Sequence, residues 1–238
     1  MKKTFLTVCT MCFAALMLTS CEWFNGHPWT PGGGGDDTPG GGGDDIVDFR
    51  LSNVVPDDIR DKMEDYMPIY NGVNPPNIDG VYLSDPMQTV YDGFGLWSPG
   101  SVVAAPMHMK FFDQDGDNMI RYRGWENGEL SDQSDRVYIS GKDQNFTAFF
   151  NSEAETLGVK VKMAVLISGT KTNSGISNLY YGVVALSKSQ ENESLMPDGT
   201  FRVFKDGDGN SPNASWPGGV RAAGEQFIKS ILDTEFPE

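Results

Sequence analysis

Two aspartate-rich segments are the first places where side-chain spacing suggests chemistry. Alternating carboxylate oxygens around a glycine can converge on a hard cation such as calcium. The glycine positions and the missing glutamate at position twelve depart from the EF-hand pattern, and Asp-Gly is also a strong hairpin signal. Each segment could therefore be a metal-binding loop or an ordinary hairpin turn, and the spacing favours the turn. The five candidate metal ligands are Asp113, Asp115, Asp117, Asp206 and Asp208.

Nucleophilic and redox chemistry find little support in the rest of the chain. His108 is the histidine of the expected globular part; it alternates onto the polar side of a strand and is expected to be solvated. No Gly-x-Ser-x-Gly elbow accompanies it, and acids that could pair for glycoside hydrolysis are plentiful but not singled out. The sequence predicts a non-enzymatic protein without a cofactor.

Two tryptophans could instead recognise a ligand by stacking. Trp125 and Trp216 fall in segments that read as loops, where an exposed indole can stack on a sugar. A tryptophan packed in the core or at a barrel end is the alternative interpretation.

Strand alternation predicts an apolar lining. From Val159 to Ile167 the odd positions are apolar, whereas Lys160 and Lys162 face the other way. An apolar face must be buried against packed side chains or against a small ligand. Tyr180 and Tyr181 are consecutive on the next strand, so one hydroxyl should point inward and need a hydrogen-bond partner. The predicted ligand-binding residues are Met163, Val165, Tyr180, Tyr181 and Trp125.

The order of elements predicts the architecture that positions these residues. A helix is expected over 56–70 and an amphipathic helix over 219–233, with about eight strands separated by turn signals between them. Few helices and a meander of strands favour an all-β, mainly antiparallel barrel or sandwich.

The N-terminus carries an export signal. Lys2 and Lys3 precede an apolar run that is too short to cross a membrane as a helix, and small residues close it. Leu18-Thr19-Ser20-Cys21 resembles the lipobox of bacterial lipoproteins, which implies cleavage after residue 20 and lipidation of Cys21. Cys9 and Cys12 leave with the signal, so no disulfide is expected in the mature chain.

A tether and one domain follow the expected cleavage site. Residues 21–45 contain two Gly-rich blocks, each followed by an Asp pair, and cannot bury enough apolar surface to fold. As a flexible coil this segment spans about 27 Å. Residues 46–238 are the length of a single β domain.

Charge narrows the possible partners. The chain has 33 acidic and 18 basic residues and a formal net charge of −15. Such a chain is a poor match for nucleic acid or for anionic lipid. The expected partners are the membrane, through the lipid anchor, and a small apolar ligand; the oligomeric state stays open.

Several short segments together resemble a known group. After the lipobox and the acidic tether come a helix ending in Asn-Pro-Pro and the strand Ile78-Asp79-Gly80-Val81-Tyr82. These segments, with residues 167–172 and 201–206, resemble lipocalin-like outer-membrane lipoproteins of Bacteroidetes. The resemblance implies an eight-stranded up-and-down barrel with a terminal helix outside, and it carries over no catalytic residue.

These expectations combine into two functions. The first is a lipid-anchored binding protein, exported to the outer membrane on its periplasmic or outer side, that holds a small apolar or amphipathic ligand. The second is a surface interaction or glycan-binding lipoprotein without an internal pocket.

Overall fold

The computed structural model describes residues 49–217 except residues 105 and 127. It opens with a 3-10 turn at Leu51–Asn53 and a short helix, α1, at Asp57–Met63. Pro56 precedes the helix, and two aspartates occupy its first turn, where they favour the helix dipole. A helix is thus present within the predicted range 56–70, but it covers only Asp57–Met63.

Twelve β-strands follow among the described residues, and most of them pair with the next strand in the chain. They are β1 (Val73–Asn74), β2 (Gly80–Ser84), β3 (Met87–Asp92), β4 (Val102–Ala104), β5 (Met107–Phe112), β6 (Met119–Glu126), β7 (Glu129–Lys142), β8 (Asn145–Thr156), β9 (Val159–Thr172), β10 (Gly175–Lys188), β11 (Phe201–Asp206) and β12 (Asn210–Pro212).

The strands form one curled, mainly antiparallel sheet, a half-barrel, in the order β2-β5-β6-β7-β8-β9-β10-β11-β3-β4. β1 pairs with β7 in parallel, and β12 pairs with β10. β2 is the first strand in this order and β3 is the next to last, yet only Asp85 and Pro86 separate them in the chain. The sheet therefore curls far enough for its two ends to be joined by a two-residue connection.

The all-β, mainly antiparallel class is confirmed, whereas the expected number of about eight strands is wrong. The prediction missed β1, β4 and β12 because each has only two or three residues, too few for a visible alternation. It also missed β3, which follows β2 directly. The expected C-terminal helix, the signal segment and the tether lie outside the described residues.

The curl divides the side chains into an inner and an outer face. The inner face is one continuous apolar cluster with members from strands around the whole sheet, including Tyr82, Phe111, Phe150, Ile167 and Phe204. A contact across the sheet shows the curvature, because Tyr181 on β10 reaches Asp132 on β7, past β8 and β9.

The outer face of β8 to β11 is covered by residues 51–67, which we call the N-terminal segment. Leu51, Val55 and Met63 pack there against Leu166 and Val203. Both faces of these central strands are consequently buried, which explains why residues 164–169 are buried without alternation.

Candidate functional site: one end of the inner face

A small group of inner-face side chains on three adjacent strands is partly accessible to solvent. Along β9, Ile167 is fully buried and Val165 is 3% exposed, whereas Met163 is half-buried. Ser152 on β8 and Val183 on β10 are also half-buried, whereas Val161 and Val159, nearer the end of β9, are buried. Met163 lies in register with Ser152, and Val183 lies in register with Val165. We call the region of Ser152, Met163 and Val183 the open end.

A carboxyl group with three hydroxyl partners lies on this inner face. The Tyr181 hydroxyl donates to Asp132 Oδ2 at 2.6 Å. The hydroxyls of Tyr122 and Ser131 donate to Oδ1 at 3.2 Å and 3.0 Å. No ion pair to Asp132 is found among the described residues. The carboxyl group is therefore held by neutral donors alone.

Burial sets the protonation of this group. Desolvation raises the pKa of Asp132, and the hydrogen bonds from Tyr181, Ser131 and Tyr122 oppose that rise. Desolvation, followed by the charge of Asp132, also raises the pKa of Tyr122 and of Tyr181 well above the ordinary value. Both phenols therefore keep their protons and act as donors at neutral pH.

Gly124 makes room for this carboxyl group. It lies on the inner face of β6, and a Cβ built on it would collide with Asp132 Oδ1 and come within 2.9 Å of the Tyr122 hydroxyl oxygen. A residue with a side chain could not occupy this position without moving the network.

The structure brings together three of the five predicted ligand-binding residues. Met163, Val165 and Tyr181 share the inner face, and the inward phenol finds its partner in Asp132. Tyr180 lies on the outer face, against the N-terminal segment. Trp125 belongs to β6 rather than to a loop and faces outward. An inner-face site therefore excludes Tyr180 and Trp125.

Trp125 contacts the second tryptophan on the outer surface. The ring centroids of Trp125 and Trp216 are 5.8 Å apart at an interplanar angle of 68°, an edge-to-face contact. Both side chains are half-buried. His108 pairs with Trp125 across β5 and β6 and is also half-buried, so this histidine is only partly exposed to solvent.

The two aspartate-rich segments form turns that use their own carboxylates. Asp115 Oδ1 accepts the backbone N–H groups of Asp117 and Met119, and Asp113 pairs with Arg121 at 3.2 Å. In the second segment, Asp206 accepts the Ser211 hydroxyl at 2.6 Å, and Asp208 accepts the N–H of Asn210. Within residues 49–217, apart from the two gaps, no group of three or more His, Cys, Asp or Glu side chains could hold a metal ion.

Sequence reasoning missed Asp132 and Arg202. Asp132 lies in a polar run, residues 131–136, that shows no strand periodicity although β7 begins at Glu129. Arg202 alternates with Phe201 and Val203, which reads as an outward cation. The apolar pair instead packs outward beneath the N-terminal segment, so Arg202 faces inward.

No protein-family model matches the chain, and neither a curated protein nor a solved structure is significantly similar to it. None of the helices within the described residues is long and apolar enough to span a membrane.

Proposed function

We propose that this protein is a lipid-anchored, non-enzymatic binding protein that holds a small apolar or amphipathic ligand at the open end of its inner face. The observation that carries the proposal is the group of partly accessible inner-face side chains on three adjacent strands, Ser152, Met163 and Val183. The inward-facing apolar side chains of Met163 and Val183 are only half-buried, whereas Val165 and Ile167 beside them are packed in the core. Ligand sites combine such an apolar lining with a few placed polar groups.

The lining suits an adaptable apolar partner. Met163 is unbranched and can repack around ligands of different shape. The hydroxyls of Tyr181 and Tyr122 are already engaged by Asp132, so these polar groups of the inner face are ordered before any ligand arrives. Order of this kind lowers the entropic cost of binding.

The finer fold assignment belongs to the same proposal. From β5 to β11 each strand pairs with the next, and β2 and β3 join the two ends of the path. This connectivity is what a lipocalin-like up-and-down barrel requires. The lipobox ending at Cys21 supports export and attachment to the outer membrane, on either of its sides.

A matched pair of variants tests the binding proposal. The neutral fluorescent probe N-phenyl-1-naphthylamine is titrated into the mature chain carrying Cys21→Ser. This change removes the proposed lipid attachment, so that no detergent is needed. Met163→Glu places a charge in the lining and should weaken binding by about tenfold or more. Lys162→Glu introduces the same side chain on the exposed, opposite face and should leave the affinity unchanged. Absence of saturable binding to wild type would reject the proposal.

The edge-to-face pair of Trp125 and Trp216 favours a second candidate, recognition of glycan or protein on the outer face. Lys110 lies 5.9 Å from the Trp216 ring centroid and adds a polar contact. The rings stand at 68° and do not offer one flat platform, so the inner-face proposal is preferred. Glycan-array binding that is lost in Trp216→Ala, with no probe binding by wild type, would reverse this preference.

A further inference from the structure

Arg202 places a guanidinium on the inner face beside the open end. It lies in register with Val183 and two residues before Phe204, a member of the inner cluster. Its side chain is 12% exposed. The guanidinium carbon lies 4.5 Å from the centroid of the Trp97 ring and 5.5 Å from that of Phe94. Aromatic faces therefore hold a cation where the accessible lining begins.

Asp92 orients this cation, but its two carboxylate oxygens have no capacity left for the other guanidinium nitrogens. Asp92 Oδ1 accepts Arg202 Nε at 2.8 Å and the backbone N–H of Phe94 at 2.9 Å. Its Oδ2 accepts the N–H groups of Leu96 and Trp97 at 2.8 Å and 3.0 Å. Each oxygen thus receives two donors, which fills the acceptor capacity of the carboxylate. Asp92 supports the guanidinium through Nε alone, which leaves the two Nη nitrogens of Arg202 for other acceptors.

Of these two nitrogens, Nη2 is buried and has no hydrogen-bond partner among the described residues. Buried donors without a partner are rare in folded proteins, and each calls for an explanation. Arg202 combines such a donor with a fixed orientation and a position on the inner face next to Val183. A hydrogen-bond acceptor that enters from the open end would satisfy it.

We propose that Arg202 binds the carboxylate of a long-chain acid whose hydrocarbon chain lies along the open end. A carboxylate matches a guanidinium because charge-assisted hydrogen bonds between them are short and strong. A monoanion suits the site better than a phosphate, since the chain has a net charge of −15. Asp132 lies four strands away in the sheet order and already accepts three hydroxyls. This inference rests on the proposed binding function and adds the head group to it.

Three ligands of equal chain length separate head-group recognition from apolar binding. Hexadecanoic acid, hexadecanol and hexadecylamine compete with N-phenyl-1-naphthylamine for the mature Cys21→Ser chain, at pH 8 and physiological salt. Wild type should bind the acid about tenfold or more tightly than the alcohol. Arg202→Gln should remove that preference and leave the affinity for the alcohol unchanged, and Arg202→Lys should retain part of it. Lys205→Gln removes a cation from the following part of β11 and should retain all of it.

The outcomes are distinct. Equal binding of acid and alcohol by wild type overturns the assignment of Arg202 and leaves the apolar binding proposal standing. Preference for the acid that persists in Arg202→Gln also overturns it. Failure of the probe itself to bind rejects the binding function as well. Should Arg202→Gln not fold, the acid-to-alcohol ratio of wild type and its reduction in Arg202→Lys decide the question.

Discussion

Gly124 shows how a single missing side chain shapes the inner face. A Cβ at this position would overlap Asp132 Oδ1 and crowd the Tyr122 hydroxyl. Gly124→Ala should therefore destabilise the protein by about 1–3 kcal/mol, the usual effect of overpacking a filled site. Urea unfolding measures this difference.

Gly116→Ala is the matched control for that variant. Nothing lies within 4 Å of a Cβ placed on Gly116, which is in an exposed turn. Its stability should stay within about 0.5 kcal/mol of wild type. Equal stabilities of the two alanine variants would show that the inner face around Asp132 has room to spare.

Asp132 should leave a signature in the pH dependence of stability. Its pKa in the folded protein is raised, chiefly by burial, above the ordinary 3.8. A raised pKa means that the folded state holds its proton more tightly than the unfolded chain. The contribution of Asp132 to stability is therefore fully present below pH 3.8 and is lost as pH rises through the raised value. Relative to wild type, Asp132→Asn should gain stability between acidic and neutral pH.

Asp92→Asn should change the pH dependence of stability in the opposite direction. Burial alone would raise the pKa of Asp92, but the hydrogen bonds from Arg202, Phe94 and Trp97 outweigh it and lower the pKa. Its contribution is present above the ordinary pKa and is lost as pH falls through the lowered value. The loss in free energy of unfolding caused by Asp92→Asn should therefore be smaller at acidic pH. Chemical unfolding from pH 3 to 8 compares the two variants, and parallel profiles would contradict both assignments.

At the scale of elements, α1 and the residues after it stabilise the central strands from outside. Met63 is fully buried between the helix and the sheet, and it approaches β10 at Gly182, where a Cβ would meet Met63 Cε at 2.7 Å. Met63→Ala should cost about 2–5 kcal/mol, because it deletes a buried side chain from a packed interface. Lys62→Ala in the same helix changes an exposed side chain and should cost less than about 0.5 kcal/mol. Similar unfolding midpoints for both variants would show that α1 adds little to stability.

The elements also show what the sequence could predict. The all-β class and the inner face of β9 follow from period-two alternation, and Val165 and Met163 lie where that alternation places them. On β10 the sequence allowed either Tyr180 or Tyr181 to face inward, since each side chain has an apolar ring and a polar hydroxyl. The contact between Tyr181 and Asp132 joins residues 49 positions apart and leaves no local pattern.

The face of β11 is the clearest case where local pattern misleads. Alternation assigns Arg202 to solvent because its neighbours Phe201 and Val203 are apolar. That rule assumes one wet face, but the N-terminal segment covers the outer face and buries both neighbours. Choosing the correct face required knowledge of a segment more than a hundred residues away. The strand was predictable, and the direction of its cation was not.

At the scale of the whole molecule, the proposed lipid anchor would determine where the protein acts. Cys21 closes a lipobox-like segment after a charged start and an apolar run. Cys21→Ala should abolish incorporation of a clickable fatty acid and shift the protein from the membrane fraction to the soluble fraction. Cys12→Ala removes a cysteine from within the signal and should leave labelling intact. Equal labelling of wild type and Cys21→Ala would overturn the assignment.

A backbone bridge at Tyr82 covers part of the edge strand β2. An uncovered edge strand offers a row of free backbone groups to other chains, and this is a common route to aggregation. In this protein Asn213 bridges to Tyr82, and the N–H of Ala214 donates to the carbonyl of Val81. The middle of β2 is thus occupied by the protein's own chain. Folded copies should therefore associate with one another less at high concentration than the many strands alone would suggest.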